Sequence, residues 1–244
     1  MNTVTSNFAR IQGAPWFSIV KDIKAAIVGV GGIGSNVAYS LSRLGINDLF
    51  LMDGDTVSNE NINGQFYTSD DVGRYKVFAL KNALRNYSPS QCVRGSNYFY
   101  NTNNSSALIH ANTIISGFDN MSARRMLFSN IQDKLSDTSK PFLYIDGRMS
   151  ANEIQIFVLT SLQEDSYRCK LYSDNYLFSD EEATRTVCSF KQTSYVAQMI
   201  GGMITNIVIN FWSNVLLDEE NNFPRSVPFI LEYNSDLMIF NVKE

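Results

Sequence analysis

Cysteine is scarce in this chain, and none of the three, Cys92, Cys169 and Cys188, belongs to a CxxC pair. An odd count without paired spacing argues against a disulfide framework and against a four-thiolate zinc site, and it fits a reducing, cytoplasmic setting. Positive charge is not in surplus either: 20 basic residues face 24 acidic ones, for a formal net charge of -4. No broad positive field draws the chain onto a nucleic-acid backbone or an anionic membrane surface, so neither nucleic acid nor membrane is the expected partner. Histidine occurs once, as His110 in "SALIHANT", ahead of an apolar strand. Nothing nearby would pair with it, and it reads as a helix C-terminal or surface residue. No secretory leader is expected, because "APWFSIVKD" is a short apolar run that ends in charge. There is a single long uncharged run, Gln192 to Leu217, whose 26 residues would form a helix of roughly 39 Å. Ser194, Gln198, Gly202, Asn206, Asn210 and Asn214 interrupt it every four residues and lay a polar stripe along one face. That stripe predicts a buried core or subunit-interface helix, not a membrane span.

What the chain does contain is a regular alternation of apolar runs and amphipathic stretches. After an N-terminal arm at 1–22, strands are expected near 24–30, 48–52, 91–99, 112–116 and 142–146, with helices near 34–44, 71–87 and 120–135. Asp70 and Asp71 are placed at the start of the helix at 71–87, where acids suit the positive end. This βα alternation predicts an α/β fold, a doubly wound and mostly parallel sheet in a single domain spanning 1–244. The strand "NEIQIFVL" at 152–159 follows a connection too short for a crossover and should pair antiparallel, placing antiparallel strands at the C-terminal edge. Residues 162–187 are polar and aperiodic and are expected to form a long loop, whereas 229–242 reads as a closing hairpin around Asn-Ser-Asp.

The stretch "IVGVGGIGSNVAYSLSRLG" at 27–45 runs from a buried strand through four glycines into a helix. Gly29, Gly31 and Gly34 satisfy the GxGxxG dinucleotide pattern of Rossmann-like folds, and Asp53 at the end of the second strand is placed to bond a ribose hydroxyl. The pattern by itself serves nicotinamide, flavin and adenylate enzymes alike, because it supplies only close backbone approach and the positive end of a helix. Downstream residues separate these alternatives. Gly32 adds a glycine to the turn, Asp53 and Asp55 are followed by the amides Asn59, Asn61, Asn63 and Gln65 and by Lys76, and Asp119 and Asn120 follow the strand at 112–116. Strand ends of a doubly wound sheet share one crevice, so these groups should converge. Hydride transfer has little use for that lysine and second acid. Attack on the α-phosphate of ATP uses both: the lysine neutralises developing phosphoryl charge, and Asp119 can hold Mg2+. Of Arg124 and Arg125, one is expected to steady the crevice and the other to face solvent.

The order GxGGxGS, DxDxV, N-x-x-x-Q-F, DVGxxK, DN-x-x-x-R and KPF resembles the ThiF/MoeB/HesA family, adenylyltransferase relatives of ubiquitin-activating enzymes, over roughly residues 8–160. The resemblance implies Gly31 and Gly32 at the phosphates, Asp53 at the ribose, Asn61 beside the phosphates, Lys76 at the α-phosphate and Asp119 at Mg2+. It also implies that Arg10 reaches the nucleotide of a partner subunit in a homodimer. The implied reaction is ATP-dependent adenylation of a C-terminal carboxylate, usually the Gly-Gly tail of a ubiquitin-like or sulfur-carrier protein. Two further readings stand beside it: a nicotinamide-dependent oxidoreductase and a non-catalytic dimeric scaffold with a decayed nucleotide site.

Three features depart from the family pattern. Gly64 stands where most members carry arginine ahead of the glutamine, the paired CxxC motifs are missing so that no zinc is expected, and no separate cysteine domain fits after residue 160. A thioester cysteine would therefore lie inside this domain, and Cys188, between the expected loop and the long helix, is the candidate, ahead of Cys169.

Overall fold

The structure is a computed structural model that describes residues 7–46, 48–87, 92–179, 192–218, 220 and 223–244. Its centre is an eight-stranded sheet in the order β3-β2-β1-β4-β5-β6-β7-β8. The strands are β1 (Lys24–Val28), β2 (Asp48–Met52), β3 (Cys92–Ser96), β4 (Thr113–Ser116), β5 (Leu143–Met149), β6 (Glu153–Thr160), β7 (Ile230–Asn234) and β8 (Ile239–Lys243). The first five run parallel, and β5-β6, β6-β7 and β7-β8 pair antiparallel. The α/β class, the parallel body and the antiparallel C-terminal edge are those the sequence predicts. "KAAIV" and "TIIS" are apolar almost throughout because their residues face helices on both sides of the sheet.

Helices α1 (Gly32–Arg43), α2 (Lys76–Arg85) and α5 (Ser194–Leu216) help build one core, and α3 (Met121–Ser136) and α4 (Ser166–Tyr176) help build the other. The chain order reverses between β1 and β4, whose C-terminal ends therefore open the crevice in which doubly wound folds bind ligands. The N-terminal arm is folded over part of its length: Pro15–Asp22 forms a 3-10 segment that buries Ile19 and Val20.

Two expectations are corrected. The helix expected at 71–87 begins only at Lys76. Asp70 and Asp71 sit instead in a separate 3-10 turn, Ser69–Asp71, capped by Thr68, and Gly73 at φ +84° breaks the chain between turn and helix. The loop expected at 162–187 contains a 3-10 turn, Gln163–Asp165, and then α4. Its sequence lacks an apolar stripe because tertiary anchors do that work. Tyr172 is fully buried against Phe128, Tyr144 and Phe157, and Asp165 takes a hydrogen bond from Thr160 at 2.6 Å and pairs with Arg168 at 3.2 Å. Residues 180–187 of that expected loop lie outside the described residues.

Helix α5 is the one described helix long and apolar enough to cross a membrane. It packs against α1 and β5, burying Val196, Ile200, Ile204, Val208, Phe211 and Trp212. Ser194, Gln198, Gly202, Asn206 and Asn214 of its polar stripe are exposed, and Asn210 is half-buried. Asn210 and Asn214 donate to the carbonyls of Ser226 (3.0 Å) and Arg225 (2.7 Å), tethering the segment that leads into β7. Where α5 meets α1, a Cβ on Gly201 would lie 2.9 Å from Asn36 Cβ and 3.0 Å from Asn36 C, whereas one on Gly202 meets nothing within 4 Å. Gly201→Ala should therefore overpack the α1–α5 contact, costing about 1–3 kcal/mol and lowering the thermal midpoint by roughly 5 °C. Gly202→Ala, which relieves only glycine's helix penalty, should leave the midpoint unchanged or raise it by up to ~1 kcal/mol of stability. Thermal denaturation followed by circular dichroism separates the two, and equal behaviour of the variants would contradict the packing.

Candidate functional site

The turn after β1 is built on close backbone contact. Gly29 has φ +86°, and a Cβ there would stand 2.8 Å from the carbonyl oxygen of Gly117 in the loop after β4. A Cβ on Gly34 would lie 2.0 Å from Gly29 O, so α1 starts directly on the strand end with its first N–H groups facing the crevice. Gly31 precedes the helix and Gly32 opens it.

Side chains that the motif reading did not single out fasten this turn. Tyr67 Oη donates to Val30 O at 2.7 Å, and Asn36 Nδ2 donates to Gly32 O at 2.7 Å and to Gly64 O at 3.4 Å. Ser35 Oγ donates to Gly31 O at 2.6 Å and accepts from Phe66 N at 2.9 Å. The segment 64–67 is thereby clasped to the start of α1. The available signal was weak: Ser35 and Asn36 are polar residues in the first turn of a helix that is otherwise buried there.

Asp53 directly follows β2, under the same turn. Its Oδ2 accepts from Val30 N and its Oδ1 from Asp55 N, both at 2.8 Å. Burial pushes its carboxyl above the usual range, against the pull of the Asp55 N–H and of Lys76. Lys76, the first residue of α2, is buried, and its Nζ pairs with Asp55 Oδ2 at 3.0 Å. Asp53, Asp55 and Lys76 thus form one chain of contacts beside the glycines. Asn61 is half-buried, and its Oδ1 accepts from Ser58 N at 2.9 Å, so its Nδ2, a donor, is the group suited to a phosphate. Gln65 lies against Gly31: a Cβ on that glycine would be 3.9 Å from Gln65 Nε2.

On the other side of the crevice, Asp119 is exposed and follows the Gly117–Phe118 backbone that touches Gly29. Asn120 is engaged structurally, accepting from Ala123 N at 2.8 Å as the N-cap of α3 and donating to Asp119 Oδ1 at 3.2 Å. No group of three metal-capable side chains gathers among the described residues. A lone carboxylate suits Mg2+, which is bound through one or two carboxylates together with substrate phosphates and waters.

Arg10 is not brought to this crevice. It is exposed, and nearby Phe8 rests on Gly45, beyond the C-terminal end of α1. That end lies about 18 Å from Gly32, at 1.5 Å per helical residue. Cys188 lies outside the described residues. Cys169 is half-buried on α4, and burial, with Asp165 adding, raises its thiol pKa, the reverse of what a nucleophile needs. His110 and Arg125 are exposed.

Arg124 is buried beneath the crevice. Its Nε donates to Asp146 Oδ1 at 2.8 Å, and its Nη2 donates to the carbonyls of Phe118 and, at 3.1 Å, Gly147. Asp146 is fully buried and also receives Arg148 Nε at 2.8 Å and Tyr172 Oη at 2.9 Å. Arg148 in turn donates to Tyr176 O at 2.9 Å and lies over the Phe157 ring. Burial pushes the Asp146 carboxyl up, but the two guanidiniums outweigh it and hold the group below the usual carboxylate range.

Compared with known proteins, residues 7–243 match the family model described as the ThiF family. The chain belongs to that family. Ubiquitin-like modifier-activating enzyme 5 of Drosophila grimshawi is 40% identical over 102 residues, covering 39% of this chain and 26% of that protein. The Gallus gallus enzyme of the same name is 37% identical over the same length and the same shares. The match thus spans about a quarter of these relatives. Among solved structures, E. coli MccB with ATP superposes with TM-score 0.70 at 18% identity, covering 99% of this chain and 72% of that one. PaaA superposes with TM-score 0.69 at 23% identity, covering 94% and 66%. These likenesses confirm the ThiF-type fold.

The ThiF-type crevice therefore rests on a buried charge cluster, which yields a prediction. Asp146→Asn leaves the buried guanidinium of Arg124 and the half-buried one of Arg148 without their counter-ion and should cost about 3–5 kcal/mol at neutral pH. Because the folded-state pKa of Asp146 is depressed, its contribution is present above the ordinary aspartate range, near 3.8, and is lost as pH falls through the lower folded value. Urea midpoints measured against pH should show the wild type converging on the variant below about pH 4, whereas parallel curves would contradict this assignment.

Proposed function

We propose that this ThiF-family chain is an ATP-dependent adenylyltransferase that activates the C-terminal carboxylate of a ubiquitin-like or sulfur-carrier protein, ending in Gly-Gly, or of a peptide. The observation that carries the reading is the chain of contacts from Asp53 through Asp55 to buried Lys76, set beside a helix N-terminus that approaches the Asp119 loop at backbone contact. The names of the relatives support it: a ubiquitin-like modifier-activating enzyme, and MccB solved with ATP and with MccA.

In this reading Asp53 takes the ribose, Gly31, Gly32 and Asn61 take the phosphates, and Lys76 Nζ exchanges Asp55 for the α-phosphate oxygens. An oxygen of the acceptor carboxylate attacks the α-phosphorus, the bond to the oxygen bridging to the β-phosphate breaks, and pyrophosphate leaves. Lys76 offsets the charge that gathers on the phosphoryl oxygens. A Mg2+ held by Asp119 and the phosphates would add Lewis-acid stabilisation of the same charge. In the same reading Arg10, which is exposed, serves the nucleotide of the other subunit in a homodimer. Cys188 is the thiol we assign to a subsequent thioester step, in a cytoplasmic setting.

The test is exchange of labelled pyrophosphate into ATP, with ubiquitin-fold proteins and peptides ending in Gly-Gly as acceptors. Exchange should depend on the acceptor carboxylate and fall at least about 100-fold in Asp119→Ala and in Lys76→Ala. Saturable NADH binding without ATP binding would overturn the reading in favour of an oxidoreductase. ATP binding without exchange for any acceptor would leave the scaffold.

A further inference from the structure

One side chain enters the glycine turn from an element far away in sequence. Gln192 lies just ahead of α5, and its carboxamide fits between two glycines. A Cβ on Gly32 would stand 2.6 Å from Gln192 Oε1, and one on Gly64 would stand 3.2 Å from both its Oε1 and its Cβ. Any side chain at 64 would have to share that space. Gly64 is itself buried, and its carbonyl is held by Asn36. Nearby, Gln65 brings its Nε2 against Gly31, while its Oε1 is buried without a hydrogen-bond partner among the described residues. Two carboxamides therefore flank the first residues of α1, where the nucleotide's phosphates are placed in this reading.

We propose that Gln192 is a phosphate-facing residue of the nucleotide site, filling from the start of α5 the space that a side chain at position 64 would otherwise occupy. Phosphate oxygens only accept hydrogen bonds, so the carboxamide turns its Nε2 toward them. Being neutral, it positions the triphosphate without adding positive charge and leaves Lys76 to carry the charge on that side of the crevice. Gly64 is then the complement of Gln192, and the two positions act as a pair. This inference rests on the adenylation reading for the identity of the bound anion.

The experiment measures ATP affinity by calorimetry, and the KM for ATP in pyrophosphate exchange, on the full chain. Gln192→Ala should weaken ATP binding about tenfold, the loss of one hydrogen bond to a charged group, and should raise KM more than it lowers kcat. Gln192→Glu keeps the shape but places a second anion at the phosphates, and should weaken binding further than alanine does. Gly64→Arg should bind ATP poorly, because the new side chain meets Gln192, whereas Gly64→Arg combined with Gln192→Ala should recover affinity to the wild-type level or beyond. Thermal midpoints taken on all four variants identify any loss that is due to unfolding. If Gln192→Glu binds ATP as tightly as the wild type, or if the double variant shows only the sum of the two single losses, the pairing is overturned while the adenylation reading stands. If the wild type itself binds no ATP, both fall together.

Discussion

The carbonyl oxygen of Gly29 is the point on which the site depends. Two other backbone segments, at Gly34 and Gly117, approach it more closely than any Cβ would allow. That three-way contact sets where α1 begins and how near the loop after β4 comes to the turn after β1. It also brings Val30 N within reach of Asp53, which fixes the end of β2 beneath the same turn. A helix N-terminus is useful to an anion only if its N–H groups are uncovered and rigidly aimed. Here the aim comes from glycine contacts and the rigidity from Tyr67, Ser35 and Asn36.

A buried ionic cluster supports the opposite wall. Two arginines and a tyrosine converge on Asp146, and through them β5, α3, α4 and the Phe118 carbonyl are joined into one unit. Such a cluster is weak evidence for stability, since the desolvation of three charges offsets much of the attraction. What it supplies is position. The loop bearing Asp119 is exposed, yet it is tethered at Phe118 to the interior, so the carboxylate at the crevice mouth starts from a fixed backbone.

Helix α5 connects these parts to the antiparallel edge. Its apolar face covers α1 and β5, the lower half of its polar stripe holds the segment entering β7, and the residue just ahead of its start reaches the glycine turn. The helix that composition alone would nominate for a membrane is thus the element that links the nucleotide crevice to the C-terminal strands.

The sequence by itself determined the parallel body, the switch to antiparallel pairing at β6, the glycine turn and the ThiF resemblance. Each of these is written in local period or in fixed spacing: apolar runs such as "KAAIV", a connection too short for a crossover, glycines at 29, 31, 32 and 34. Tertiary structure alone decided the rest. Helix α4 was illegible because Tyr172, Arg168 and Asp165 stabilise it through partners distant in the chain, not through an amphipathic period. That Asn120 also caps α3 shows only in the fold, as does the turn of Asp70 and Asp71 that Gly73 separates from α2. Arg124 could be singled out beside Asp119, but its partner Asp146 could not, and neither could the meeting of Gly64 with Gln192. Both are contacts between segments that only folding brings together, and no spacing rule encodes a contact whose two halves belong to different elements.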